Sequence, residues 1–386
     1  LKRVYLDHNA TTPVRPEVAR AVQPFLGEIY GNPSSLHAVG REARARMEES
    51  RGKVAAFFRC RPDEVVFTGS GTEGDNLALK GVMFSPGNAG RHVVTTAVEH
   101  PAVRKSASFL RETGFPVTIV PVGADGIADP DAVARAIRPD TAVVSVMLAN
   151  NETGAINDVA AIGAICREKG VLFHTDAVQA AGKVPIDFSS LPVDMLTFSA
   201  HKVNALKGSG GLLVRKGLRL VPLMCGGHHE RGIRGGTENL AAIAAMGTAF
   251  SLLETEMEEE SRRIAALRDR FEARVFAKVP DVVRNGAVSP RLPNTSNLTF
   301  RHVEGEALLI GLDALGVCCS SGSACSSGDV EPSAVLLAMG IPPEDARAAL
   351  RFSLGYGNTE EEIDYAADAI AETVAKFRAM SPLWKV

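Results

Sequence analysis

The sequence has little that would tie it to a membrane, to nucleic acid or to an oxidising compartment. No run of about 18 apolar residues is present, and the opening stretch LKRVYLDHNATTP has no apolar core of the signal-peptide kind. A cytoplasmic location is the default expectation. Charge of one sign is also missing: 42 Lys and Arg face 45 Asp and Glu, a net charge of -3, so no basic footprint for nucleic acid exists. Aromatic residues make up only 5% of the chain, with a single Trp. The six cysteines form no CxxC pair, and at this length and spacing a disulfide framework is not expected. Internal repeats and low-complexity segments are absent too.

What is present is an ordinary globular composition, 45% hydrophobic and 23% charged, over 386 residues, enough for a large core and two or three domains. From Glu64 to Val214, short apolar runs alternate with helical patterns. This predicts an α/β fold with a mostly parallel sheet and helices on both faces, followed by a smaller α+β domain. The large domain is expected over 15–256, and the small one over 1–14 and 257–386. A long helix is expected from near Glu238 to Val279, with room for a break. Asn294–Phe300 reads as an antiparallel strand, and a capping box at Thr359 and Glu362 opens the last helix.

The densest chemistry lies between Val171 and Gly211. A strand over Val171–His174 delivers Asp176 at its carboxyl end, and a strand over Met195–Phe198 delivers Ser199, His201 and Lys202 to the same rim. Ligands of open α/β sheets bind at that rim. A lysine, a carboxylate and polar donors together match what pyridoxal 5'-phosphate requires: an amine for a Schiff base, an acid beside the ring nitrogen, and phosphate contacts. Taken singly, Asp176 reads equally as a turn residue and Lys202 as a surface lysine. Other segments supply further candidates. The strand and turn EVVFTGSG open a helix at Thr72, a ready anion site. His100 ends a strand just before Pro101; it is either a satisfied core histidine or a proton carrier lying on a ring. Asn151 follows a strand in ANNETG and can donate to a ligand oxygen. Arg351 lies in an apolar strand, where its guanidinium calls for a carboxylate from a salt bridge or a substrate.

Cysteines divide by setting. Cys166, on the apolar face of a helix over Val159–Lys169, reads as packing, as do Cys318 and Cys319. Cys225 with His228 and His229 in CGGHHERGIRGGT suggests zinc only weakly, since no fourth ligand of standard spacing follows. Cys325 differs. It sits in SSGSACSSGDVEP, too small and polar to pack as core, so it is expected on a mobile surface loop of about 318–332 as an accessible nucleophile.

YLDHNATTP, YGNPSS, the Thr72-Glu73 turn, VEHPA, ANNETG, HTDAVQ, SAHK, GGTEN, SSGSACSSG and RFSLG occur in this order nearly end to end. With them the chain resembles the pyridoxal phosphate-dependent cysteine desulfurases of the NifS/IscS type, class V aminotransferases of fold type I. The resemblance implies conversion of L-cysteine to L-alanine, with sulfur passed through a persulfide on Cys325 to an acceptor or iron–sulfur scaffold protein. It implies that Lys202 carries the cofactor and moves the Cα proton, and that Asp176 pairs with the ring nitrogen. Gln179 would bind the phenolic oxygen, and His100 would stack on the ring. Thr72, Ser199 and His201 would hold the phosphate, joined by Thr237 from the second subunit of a homodimer, and Arg351 and Asn151 would bind the substrate carboxylate. A selenocysteine lyase or another enzyme of the same fold, or a catalytically silent assembly scaffold, are the alternatives. The chain departs from the usual pattern at Ala205-Leu206-Lys207-Gly208 (commonly Gly-Pro-Lys-Gly), at Cys225 (often His) and at Gly235-Gly236 before Thr237.

Overall fold

The computed structural model describes residues 3–86, 90–321, 331–380 and 384. Its largest sheet has seven strands: β2 (Val65–Thr68), β3 (His92–Thr96), β4 (Val117–Val120), β5 (Thr141–Ser145), β6 (Leu172–Asp176), β7 (Met195–Ser199) and β8 (Gly210–Val214), following the short β1 (Val4–Tyr5) in the chain. Their spatial order is β2-β8-β7-β6-β5-β3-β4. All neighbours from β7 to β4 are parallel, while β8 runs antiparallel to both β7 and β2. Two reversals cancel, so β2 points the same way as β7. The carboxyl ends of β2, β3, β5, β6 and β7 therefore share one rim, and the sheet is mostly parallel, as expected.

Alternation along each strand explains why these runs are continuously apolar: both faces are covered. Phe67, Val94, Val144, Leu196 and Leu213 enter the core under the helix Ala38–Phe58 and the first part of Leu240–Lys278. Their strand neighbours Val66, Val93, Val143, Met195 and Leu212 enter the opposite core with Leu77, Val103 and Leu110. Phe198 is fully buried among Phe58 and Phe250, with ring centroids 4.9 and 5.5 Å away. Its cross-strand partner is Gly211, where a Cβ would lie 2.2 Å from the Phe198 ring, so only glycine admits the ring there.

A third core gathers Val4, Leu6, Phe271, Phe300, Leu350, Phe352 and Ile370 around a smaller antiparallel sheet. Its strands are β9 (Val282–Arg284), β10 (Thr295–Phe300) and β12 (Ala349–Ser353), with β10 central; β11 (Val317–Cys318) instead pairs in parallel with β1. β10 does not alternate between core and solvent, because all six of its residues are buried. The helix Leu240–Lys278 runs unbroken for 39 residues, without the break for which the sequence left room. It is apolar and long enough by composition to cross a membrane. Here that apolarity serves two cores, Ile243 to Phe250 in one and Ile264 to Val275 in the other.

Replacing Phe198 with Ala is expected to cost about 3–5 kcal/mol, because Gly211 offers no side chain to fill the space. Urea unfolding of the two proteins measures this, and a loss below about 1 kcal/mol would mean that the aromatic cluster is not tightly packed.

Candidate active site

A cavity of about 300 Å³ opens at the shared rim. Each strand contributes through the loop or helix that follows it: Thr72 after β2, His100 after β3, Asn151 after β5, Asp176 and Gln179 from β6, and Ser199, His201 and Lys202 from β7. All of them line this cavity, and Arg351 reaches it from β12 of the other sheet. Thr237 is exposed and lies outside this wall. Cys325 falls outside the described residues, as does most of the loop expected around it.

The cavity is also lined by Ser70 and Gly71 of the EVVFTGSG turn and by Asn9, Ala10, Asp75, Met147 and Val178, which no sequence motif assigns to a site. One signal was available for Asp75, an acid among apolar positions of the helix Gly71–Met83. That helix is capped by Ser70 Oγ, which accepts the Glu73 N–H at 3.1 Å. Its first turn faces the cavity with Gly71, where a Cβ would lie 2.7 Å from Val178 Cγ2. Glu73 accepts from Gly69 N and from Arg234 Nε, at 2.8 and 2.9 Å, which anchors the loop that carries Thr237.

The stretch from Asp7 to Thr12 binds the two sheets together at the cavity. Asn9 O accepts Gln179 Nε2 at 2.9 Å and Lys202 Nζ at 2.5 Å, and Ala10 O accepts Lys202 Nζ at 2.7 Å. Asn9 Nδ2 donates to Thr295 Oγ1 and to Asn151 O. Asp7 Oδ1 sits 2.8 Å from Arg351 Nη2, while Arg351 Nη1 donates to Asn151 O at 3.0 Å. The carboxylate that Arg351 calls for is thus present within the chain. Arg351 Nε, Asn151 Oδ1 and Ser199 Oγ are buried without a hydrogen-bond partner among the described residues, while Asp75 Oδ1 faces His174 Nε2 at 3.6 Å. Buried polar atoms are rarely left so, and three around one cavity mark a place built for a polar ligand.

Burial governs the titration of the lining groups. It raises Asp176 to about 6, against the Val178 N–H and the Lys202 amine, which favour the carboxylate. Burial, and then the neighbouring charge of Asp176, push Asp75 well above the usual carboxylate range. Burial thus favours the protonated form of both acids, opposed at Asp176 by the Val178 N–H and the Lys202 amine. Asp75, His100 and Asp176 bring one ligand atom each within 4.8 Å of one another, a spacing that a metal could use. The exposed Cys225 with His228 and His229 makes no such group among the described residues.

His100 is lowered to about 4 by burial, then by Lys202 and Arg104, and His201 is also lowered to about 4, by burial and then by Lys202, Lys207 and Lys183. His100 caps the helix Pro101–Glu112 by accepting the Ala102 N–H on Nδ1, at 3.1 Å. Its neutral ring therefore carries the proton on Nε2. An imidazole titrating at 6.5 unfolded and at about 4 folded favours folding fully above pH 6.5. That contribution is lost as the pH falls through this window.

The class-V aminotransferase family matches residues 4–366. Among curated proteins, the chain is 45% identical over 388 residues to a protein named cysteine desulfurase IscS from Dictyoglomus turgidum, covering 100% of this chain and 98% of that one. It is 47% identical over 386 residues to one of the same name from Methylococcus capsulatus, covering 99% and 95%. Among solved structures, a NifS-like protein superposes with a TM-score of 0.91 at 36% identity, covering 97% of this chain and all of that one. A NifS-like protein from Rickettsia africae gives 0.87 at 31%, again covering 97% and 100%.

In the protein without ligand, His100 is expected to stay neutral and Nε2-protonated down to about pH 4. Nitrogen chemical shifts measured through a pH titration check this; a midpoint near 6.5 would mean that the cavity is wet and open.

Proposed function

The chain belongs to the aminotransferase class-V family, and on that premise we propose that it is a pyridoxal phosphate-dependent cysteine desulfurase. The observation that carries the reading is the joint placement of Lys202, Asp176, His100 and Arg351 around one cavity, in a chain whose full-length relatives bear that name. The cavity fits the cofactor. An orphaned Ser199 Oγ beside Thr72, His201 and the first turn of a 13-residue helix suits a phosphate, and an ionised Asp176 suits a protonated ring nitrogen. Gln179 has amide hydrogens for the phenolic oxygen, and the Lys202 amine can form the covalent link. When bound, pyridoxal phosphate supplies an electron sink that allows the Cβ–S bond of cysteine to break.

The chain's own groups do the rest. Arg351, with Nε unsatisfied, and Asn151 beside it would hold the substrate carboxylate, while Asp7 keeps the guanidinium in place and offsets its charge. Lys202 would carry the proton between Cα and its own nitrogen. His100, neutral and protonated on Nε2, would donate to a forming thiolate or amine without adding charge. Cys325, as thiolate, would take the substrate sulfur: an S–S bond forms, the Cβ–S bond breaks, Cβ gains a proton, and alanine leaves an enzyme persulfide. Sulfur then passes to an acceptor protein, such as one that assembles iron–sulfur clusters, the role suggested by the IscS name of its relatives.

A second copy of the chain would complete the phosphate site. Thr237 lies outside its own cavity wall, and Leu26, Tyr30 and Leu36 leave 76%, 73% and 82% of their surface exposed, which favours a covering partner.

The purified protein is expected to be yellow and to convert L-cysteine to alanine, releasing sulfide with a thiol reductant. Cys325→Ala should abolish sulfide release and keep the colour; full activity in this variant would defeat the assigned nucleophile. Lys202→Ala should lose the lysine-linked absorbance. Arg351→Gln should raise KM for L-cysteine about 10- to 100-fold, the worth of one charged hydrogen bond, and an unchanged KM would remove Arg351 from the substrate site.

A further inference from the structure

Behind Gln179 stands a second lysine that the reading so far leaves unused. Lys183 follows it by one turn of a tight coil, and its Nζ donates to the Gln179 main-chain oxygen at 2.9 Å. The same ammonium lies 3.4 Å from Gln179 Oε1, while Gln179 Nε2 donates to Asn9 O at 2.9 Å. A carboxamide has nearly the same shape either way round, so its partners decide which end points where. Here the choice is one-sided. Flipped, the amide would set N–H groups against an ammonium and its oxygen against the Asn9 carbonyl. With the oxygen held by Lys183, the second hydrogen on Nε2 remains for the cavity that Gln179 lines.

We infer that Lys183 is a positioning residue of the cofactor site: it locks the Gln179 amide with its nitrogen toward the cavity, so that the phenolic oxygen of pyridoxal phosphate meets a donor. The inference rests on the cofactor reading above. A charge effect accompanies the geometric one. Burial, and then the nearby charge of Lys202, lower Lys183 to about 7. Such repulsion is mutual, so a cationic Lys183 also favours the neutral, nucleophilic amine of Lys202. The remaining titratable groups around this back wall are His8, Arg15, Glu256, Glu260 and Tyr356, which line a small cavity together with both lysines.

The test is a pH titration of the absorbance of the pyridoxal phosphate-loaded protein, comparing wild type with Lys183→Met and Lys183→Arg. Losing a donor to the phenolic oxygen and losing a nearby cation both strengthen proton retention at the Lys202–cofactor link. The midpoint in Lys183→Met is therefore expected to rise by about one pH unit. Lys183→Arg keeps both donor and charge and should remain close to wild type. If the methionine variant does not fold, Lys183→Gln takes its place, with a rise expected from the lost charge. A folded, loaded Lys183→Met whose midpoint equals that of wild type overturns the inference. So does weaker cofactor retention with no change of midpoint, which is what a purely structural lysine would produce. A wild-type chain that takes up no pyridoxal phosphate overturns the cofactor reading, and this inference with it.

Discussion

One main-chain oxygen has an outsized share in this molecule. Asn9 O accepts hydrogen bonds from Lys202 and from Gln179, and the Asn9 side chain reaches Thr295, Asn294 and the carbonyl of Asn151. The segment around it, from Asp7 to Thr12, comes early in the chain but lies between the large sheet, which begins at Val65, and the small one, whose strands begin at Val282. It pairs with Arg351 on one side and with the His201 carbonyl on the other. Remove those bonds, and the residues of the large sheet lose their fixed relation to the guanidinium of the small one.

Strand direction makes the clasp worthwhile. Since β8 is antiparallel to both β2 and β7, the glycine turn after β2 comes to the same edge as Asp176 and Lys202. A helix N-terminus, a carboxylate and an amine thus meet in one cavity although no two of them are neighbours in sequence. Electrostatics then sorts the groups. Burial holds Asp75 toward its protonated form and the two imidazoles toward neutrality. Low-dielectric surroundings make each remaining charge count for more.

Much of this was legible beforehand because it depends on local pattern. Strand ends that carry Asp176, Ser199, His201 and Lys202 follow from short apolar runs that stop at polar residues, and the same holds for His100 and Asn151. The unbroken helix Leu240–Lys278 was less legible, since its apolar face shifts from one core to another along its length, and no single periodicity describes both halves. β10 was legible as an antiparallel strand, but its burial was not, since Thr295, Ser296, Asn297 and Thr299 are polar. In the fold all four are buried, and Asn297 donates to the Glu152 carbonyl and Thr299 to that of Asp345.

The order of residues by itself determined the class of fold, the identity of the lysine and acid at the rim, and the likeness to a family, since each rests on periodicity or on contiguous motifs. Tertiary structure alone decided that Asp7 neutralises Arg351, that Asp75 stands beside Asp176, and that Lys183 holds the amide of Gln179. Those relations depend on distances and on exclusion of water. Neither is a property of neighbours along the chain; both arise only when separate strands close around the same space.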